Sequence, residues 1–355
     1  MIEDTALVWF GIRARRADLR GPSKLHEAAS RRKSFAAGIQ QFEEQFAAAK
    51  VVSPFTRPLN LYYGLVQAGL AIRAAYAPNP WTFGRHGLKV VDMKPDLAAI
   101  RVRPDSEGAF QALAETTGSP IIDGEVSLGA LWASLPDLSQ ASALTESKFP
   151  IPLRVEVHNG TGGRPDAARF FTDGVPHFLD ADASVYVDAS LPVEMEARTA
   201  WLKQLKETYP GAQGALLQNH EQHSFRAIAE RRFEARLYWS NSDRPESMSE
   251  AELEAFFDAR APQYRYYHER YLRPSVEGDV KPSPSPLMTW WLMLYTFSML
   301  ARYQPAKWVD LLNVDKSKHA VSLEYALHTA LEVVPQLVLE ALDQKPFLFT
   351  MPMRL

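Results

Sequence analysis

The chain has no cysteine. That absence removes disulfides, zinc ribbons, iron–sulfur clusters and thiol nucleophiles in one step, and it fits the cytoplasmic location expected here. There is no strong imbalance of charge either. Lys and Arg number 39 against 42 Asp and Glu, a formal net charge of -3, so contact with nucleic acid or a membrane has to come from a local patch. Long hydrophobic runs are missing as well. The longest uncharged one, LMTWWLMLYTFSMLA from Leu287 to Ala301, reaches roughly 22 Å as a helix, short of a bilayer core of about 30 Å. It reads as a buried core helix, and no membrane partner is expected. The opening MIEDTALVWFGIRARR is acidic before its brief apolar stretch, the reverse of a secretory leader, so none is expected.

Catalytic fingerprints are also lacking. There is no GxSxG elbow, no dinucleotide-binding GxGxxG, no GxxxxGK[ST] loop and no HExxH pair. HNGTGGR (158–164) has the glycines of a phosphate loop without its lysine and reads as a hairpin turn. His220 and His223 can share a helix face, but no third ligand accompanies them. No metal and no cofactor are expected.

What the chain does have is helical periodicity at both ends. In residues 26–50, Phe35, Ile39, Phe42 and Phe46 recur at three- and four-residue spacing. Ser53-Pro54 breaks that helix, and Pro58 suits the first turn of the next, which runs to about Ala77. Further helices are predicted over 286–303, 305–313 and 317–344. Between them, AIRVRP, IPLRVEV, ASVYVD, FRAIAERRFEARLYW and QYRYYHERY alternate or are rich in β-branched and aromatic residues. Short helices are predicted at 107–116, 195–208 and 249–260. The fold class is therefore mainly α with an α+β insertion. Residues 1–95 and 285–355 form a helical bundle, 96–272 carry a mostly antiparallel sheet, and 273–286 are a Pro/Ser-rich linker. Helices 58–77 and 287–303 are apolar nearly all round, so each needs several neighbours, which the two ends can supply to each other.

Within this frame the candidate chemistry sits in four places. Arg57, Asn60, Gly64 and Gln67 fall on one stripe about 80° wide, where a glycine permits close approach of a ligand or another backbone. Asn60 and Gln67 are either the wall of a site or satisfied core polar groups. Tyr295, Ser298 and Arg302 make a second stripe, and Arg302 is either an anion ligand or a partner of the helix C-terminus. His86, between the glycines of GRHGL, is a candidate general acid or base or a structural turn residue. If the terminal helices pack together, Arg57, Asn60, Tyr295 and Arg302 share one groove suited to phosphate or carboxylate. Finally, Arg13, Arg15, Arg16, Arg20, Lys24, Arg31, Arg32 and Lys33 form the one basic concentration, either a solvated helix face or a nucleic-acid backbone contact.

The order of these pieces resembles the YaaC-like family of bacterial proteins. A Phe-rich helix leads into RPLNLYYGLVQAGLAI and HGL (86–88), then a variable region, then PLMTWWLMLYTFSMLARYQPAKW. More distantly, a helix with a Tyr-Tyr pair, a break, and a His before the next helix is similar to the HEPN superfamily. That likeness implies a small helical bundle, often dimeric, and in many members a metal-independent endoribonuclease of toxin or antiviral systems. The HEPN signature, Arg followed after four to six residues by His, is met here only by Arg20 and His26, with Gly21-Pro22 between them. Arg57 or Arg302 with His86 would have to replace it. The resemblance implies a nucleic-acid-associated protein, RNA-binding or ribonuclease-like, in a bacterial defence or stress system. In that reading His86, Arg302 and Arg57 are catalytic, Asn60, Gln67, Tyr295 and Ser298 hold substrate, and Arg13, Arg15, Arg16, Arg31 and Arg32 hold nucleic acid. The alternative is a non-catalytic scaffold subunit, and a homo-oligomer or a partner protein is expected in either case.

Overall fold

A computed structural model describes residues 2–19, 23–93, 96–139, 149–158, 181–187, 195–217, 225–229, 232–239, 264–266, 269–277 and 281–344. The chain divides into two compact units, Met1–Pro150 with Ser283–Leu355, and Ile151–Pro282.

The first unit opens with α1 (Ile2–Ala17), α2 (Ala29–Val51) and α3 (Arg57–Tyr76), joined by short turns. Pro58 lies in the first turn of α3, where its missing N–H costs nothing. Then come β1 (Leu88–Asp92), β2 (Arg101–Pro104), α4 (Ala109–Thr117), β3 (Val126–Ser127), α5 (Leu128–Ala133) and α6 (Pro136–Ser139). The three strands form an antiparallel sheet in the order β1-β2-β3. Leu88, Val90, Val102 and Val126 bury one face, and Lys89 and Arg101 point to the other, the alternation of a half-buried sheet.

The second unit carries β4 (Leu153–His158), β5 (Ala181–Val187), α7 (Met195–Thr208), β6 (Ala215–Leu217), β7 (Phe225–Ala229), β8 (Arg232–Trp239), β9 (Tyr264–Tyr266) and β10 (Glu269–Leu272). Its seven strands are antiparallel, in the order β6-β8-β5-β4-β10-β9, with β7 also on β8. The stretch 225–239, one piece in the sequence, folds as the two paired strands β7 and β8. The predicted helix 249–260 lies outside the described residues.

The chain then completes the first unit with α8 (Pro286–Tyr303), α9 (Pro305–Leu311) and α10 (Ala320–Asp343). Ser285 caps α8, its hydroxyl accepting from the Met288 N–H, so the end of the expected linker already belongs to the helix. All residues from 286 to 300 are buried, as an all-round apolar helix requires. α8 packs on α3: Trp291 meets Tyr62 edge to face at 6.1 Å. A methyl at Gly69 would stand 2.8 Å from the Trp291 ring. No described helix is long and apolar enough to cross a membrane.

Residues 96–150, expected in the insertion, pack in the first unit instead. Leu97, Phe110, Leu113 and Trp132 are fully buried there. Arg73 of α3 reaches the Ala112 carbonyl at 3.1 Å and the Glu115 carboxylate at 2.7 Å. Alternation along 99–104 reveals a strand, but a short strand carries no mark of the unit it joins.

Candidate functional site

α3 presents two faces, and the expected polar stripe lies on the one turned to α2. Arg57 donates to the Ala49 and Val52 carbonyls, both at 3.0 Å, closing the C-terminus of α2. Asn60 donates to Gln45 at 3.1 Å. A methyl at Gly64 would stand 2.7 Å from the Phe46 ring, so this glycine admits a neighbouring side chain. Gln67 is half-buried, and its backbone carbonyl would lie 2.7 Å from a methyl placed on Gly38 of α2. Residues 60 and 62 are 200° apart around a helix, so the face that meets α8 carries Tyr62. Arg57 and Asn60 therefore do not share a groove with Tyr295 and Arg302.

A different set converges where α3, α8 and the GRHGL turn meet. The turn is held by its backbone. Arg85 and Gly87 adopt φ of 46° and 71°. The carbonyls of Arg85 and His86 accept from Ala109 and Phe110, at 3.0 and 3.3 Å, at the start of α4, supplying partners that helix N–H groups otherwise lack. A methyl on Gly108 would come within 2.4 Å of the Gly87 nitrogen, which makes both glycines necessary to this docking. His86 is thereby set against Tyr62, whose hydroxyl is 2.9 Å from Nδ1. The His86, Tyr62 and Tyr295 rings are mutually in contact, at centroid distances of 5.5 to 5.7 Å. Tyr295 donates to the Leu88 carbonyl at 2.7 Å, and Ser298 returns a bond to the Tyr295 carbonyl within α8.

Arg302 forms the outer side. Its guanidinium donates to the Tyr63 hydroxyl at 3.3 Å and lies 5.1 Å from the Tyr303 ring centre. Tyr63 is 38% exposed and Tyr303 55%, so both rings offer surface to solvent. Partial burial, and then the Arg302 charge, hold the His86 pKa below its ordinary value. Burial raises both phenols. Tyr62 is pushed well above its usual range, and Tyr295 rises to about 12, with Asp105 adding to the effect of burial. At neutral pH the cluster is thus a neutral imidazole, neutral phenols and one guanidinium.

The protonation of His86 follows from Tyr62. The buried phenol stays protonated, and among the described residues His86 is the one side chain given to its hydroxyl. Satisfying that donor makes Nδ1 the acceptor and leaves the proton on Nε2. Nε2 has no partner among the described residues and is not among the buried unpartnered atoms. The cluster therefore presents two donors, the Nε2 N–H and the Arg302 guanidinium, beside two exposed rings. Tyr62, Tyr63 and Tyr303 were not picked out as site residues from the sequence, although the Tyr-Tyr pair and the neighbour of Arg302 were the signals available.

The basic concentration is occupied within the fold. Arg13 pairs with Glu43, and Arg16 donates to Gln40. Arg15 makes a two-pronged contact with Asp343 at 2.7 and 2.6 Å. Arg31, 1% exposed, donates to the Ala74 and Ala77 carbonyls and to Asn79. Arg32 reaches the Leu25 carbonyl at 3.4 Å. Arg20, His220, His223 and the loop 159–166 lie outside the described residues. No group of three or more metal-ligating side chains occurs among the described residues.

Neither the curated proteins nor the solved structures yield a significant match. The profile of the family described as YaaC-like Protein matches residues 13–342, and the chain belongs to that family.

Proposed function

We propose that the His86–Arg302 face binds single-stranded nucleic acid, with RNA as the ligand. The observation that carries this reading is the pairing of a neutral Nε2 N–H donor with a guanidinium beside two exposed tyrosine rings. A guanidinium gives a phosphate paired, charge-assisted donors. Exposed aromatic faces stack unpaired bases, each worth about 1–3 kcal/mol. A duplex keeps its base faces covered, so stacking of this kind selects single strands.

The tautomer argument favours binding over cleavage. A general base needs a free lone pair on Nε2, and the Tyr62 hydroxyl donating to Nδ1 places a proton there instead. The ribonuclease version, in which His86 takes the 2′-hydroxyl proton and Arg302 stabilises the phosphate charge, requires the opposite tautomer. Fluorescence anisotropy with a labelled single-stranded oligoribonucleotide tests the binding. Arg302→Ala is expected to weaken it at least about tenfold, the worth of one charge-assisted bond, and to lower the salt slope by about one. Affinity and salt slope equal to the parent's would refute the assignment.

A second reading, the non-catalytic interaction subunit, rests on α1. Leu7 and Phe10, one turn apart, are 56% and 69% exposed, and adjacent exposed apolar side chains mark association surfaces. Light scattering after size exclusion separates the two readings. Self-association lost in Leu7→Ser/Phe10→Ser, with RNA binding intact, would assign α1 to assembly and leave the His86 face to the ligand.

A further inference from the structure

A cavity of about 480 Å³ lies at the corner between α9 and α10, where Asp96 meets Lys307, Asp310, Lys316, Lys318 and His319. We propose that it binds a phosphate monoester of a small molecule. The reading is independent of the His86 face, since the two share no residue.

The first argument is charge. Three lysines face two carboxylates, and each carboxylate is engaged by a neighbour of its own. Asp310 lies 2.7 Å from the Lys316 ammonium, and Asp96 lies 3.1 Å from Nε2 of His319. The Lys307 ammonium donates to the Met93 carbonyl at 2.6 Å, which leaves further N–H bonds on the same nitrogen. A cation would meet acids already committed and an excess of lysine. An anion meets donors.

The second argument is the helix that begins there. α10 runs for 24 residues from Ala320 and has neither a side-chain cap nor an acidic residue in its first turn. The positive end of its dipole and its first amides are therefore uncompensated by the chain itself, and this is the position at which helices take phosphate. The third argument is His319, the residue before that first turn. It lines the cavity at 3% exposure, and its Nδ1 has no hydrogen-bond partner among the described residues. Buried polar atoms are normally paired, so an unpaired ring nitrogen in the cavity wall points to a missing partner. Burial also lowers the Lys307 pKa, with Asp96 and Asp92 acting against it. An added phosphate charge would relieve that penalty. The volume falls in the range of small-molecule sites, about 300–1,000 Å³. Inorganic phosphate alone would leave most of it empty, and Leu311 gives the remainder an apolar wall.

Isothermal titration calorimetry on the full chain at constant ionic strength tests this. The probes are inorganic phosphate, glycerol 3-phosphate and ribose 5-phosphate, with ribose as the neutral control. The proposal expects saturable binding of the esters, tighter than inorganic phosphate, and none of ribose. Lys318→Gln and Lys316→Gln, both exposed positions, are each expected to weaken it about tenfold by removing a charge-assisted bond, with the melting temperature unchanged. Arg302→Ala is expected to leave it intact. The proposal is overturned by an absence of saturable heat with every probe, by equal affinity in both lysine variants, or by loss of binding in Arg302→Ala. The last result would place the anion at the His86 face instead.

Discussion

At Gly64 a single hydrogen decides how closely α2 and α3 approach. A methyl there would press on the Phe46 ring at 2.7 Å and on Gln45 at 3.1 Å. Gly64→Ala is expected to cost about 1–3 kcal/mol through overpacking. Gly84→Ala, where a methyl would meet nothing within 4 Å, is expected to leave the urea midpoint almost unmoved. Periodicity placed Arg57, Asn60, Gly64 and Gln67 on one face correctly. It could not say which neighbour that face meets, because α3 is apolar on its other sides too. His86 gives the second prediction at this scale. Its pKa is lowered in the fold, so the unfolded chain takes the proton first, at about 6.5. The unfolded state then binds more protons below that pH, and stability falls as the pH drops through the window between 6.5 and the folded value. Urea midpoints at several pH values should show this slope in the parent and a shallower one in His86→Gln.

Among the elements, α2 and α3 close each other's ends. Arg57, at the start of α3, donates to the last carbonyls of α2. Arg31, near the start of α2, donates to the last carbonyls of α3 and lies 5.3 Å from the Trp81 ring centre. A cation at a helix C-terminus also meets the negative end of the dipole. Arg31→Met should therefore destabilise by about 2–4 kcal/mol, leaving buried carbonyls unpaired. Arg32→Met, at an exposed neighbour, should stay within about 0.5 kcal/mol. Thermal melts of the two variants compare these directly. The basic concentration suggested a nucleic-acid contact because charge was counted along the chain. The signal for the other outcome was present. Arg31 stands on the stripe of Phe35, Ile39, Phe42 and Phe46, at offsets of 4, 8, 11 and 15 residues, and a charge on an apolar stripe is buried with partners.

Across the molecule's first unit, the two ends of the chain are joined by Arg15 and Asp343, both partly buried, and by Tyr76, whose hydroxyl donates to the Leu342 carbonyl. A double-mutant cycle of Arg15→Ala and Asp343→Asn should return a coupling of about 1–3 kcal/mol, as expected for a forked, partly buried pair. That the terminal segments pack together was legible, since α3 and α8 had no other way to bury their whole circumference. That 96–150 joins them was not, because its contacts, Arg73 to Ala112 and the Arg85 and His86 carbonyls to α4, pair residues distant in sequence through backbone groups that leave no pattern. His86 was found from its flanking glycines, whereas its tautomer depends on Tyr62, which reads as an ordinary core tyrosine. The most direct test of the His86 face compares His86→Gln with His86→Ala in one anisotropy titration of single-stranded RNA. The glutamine amide can replace a donor and cannot replace a base. Binding kept in His86→Gln and weakened in His86→Ala is the result expected. Equal affinity in both variants, or RNA cleavage by the parent that His86→Gln abolishes, would contradict it.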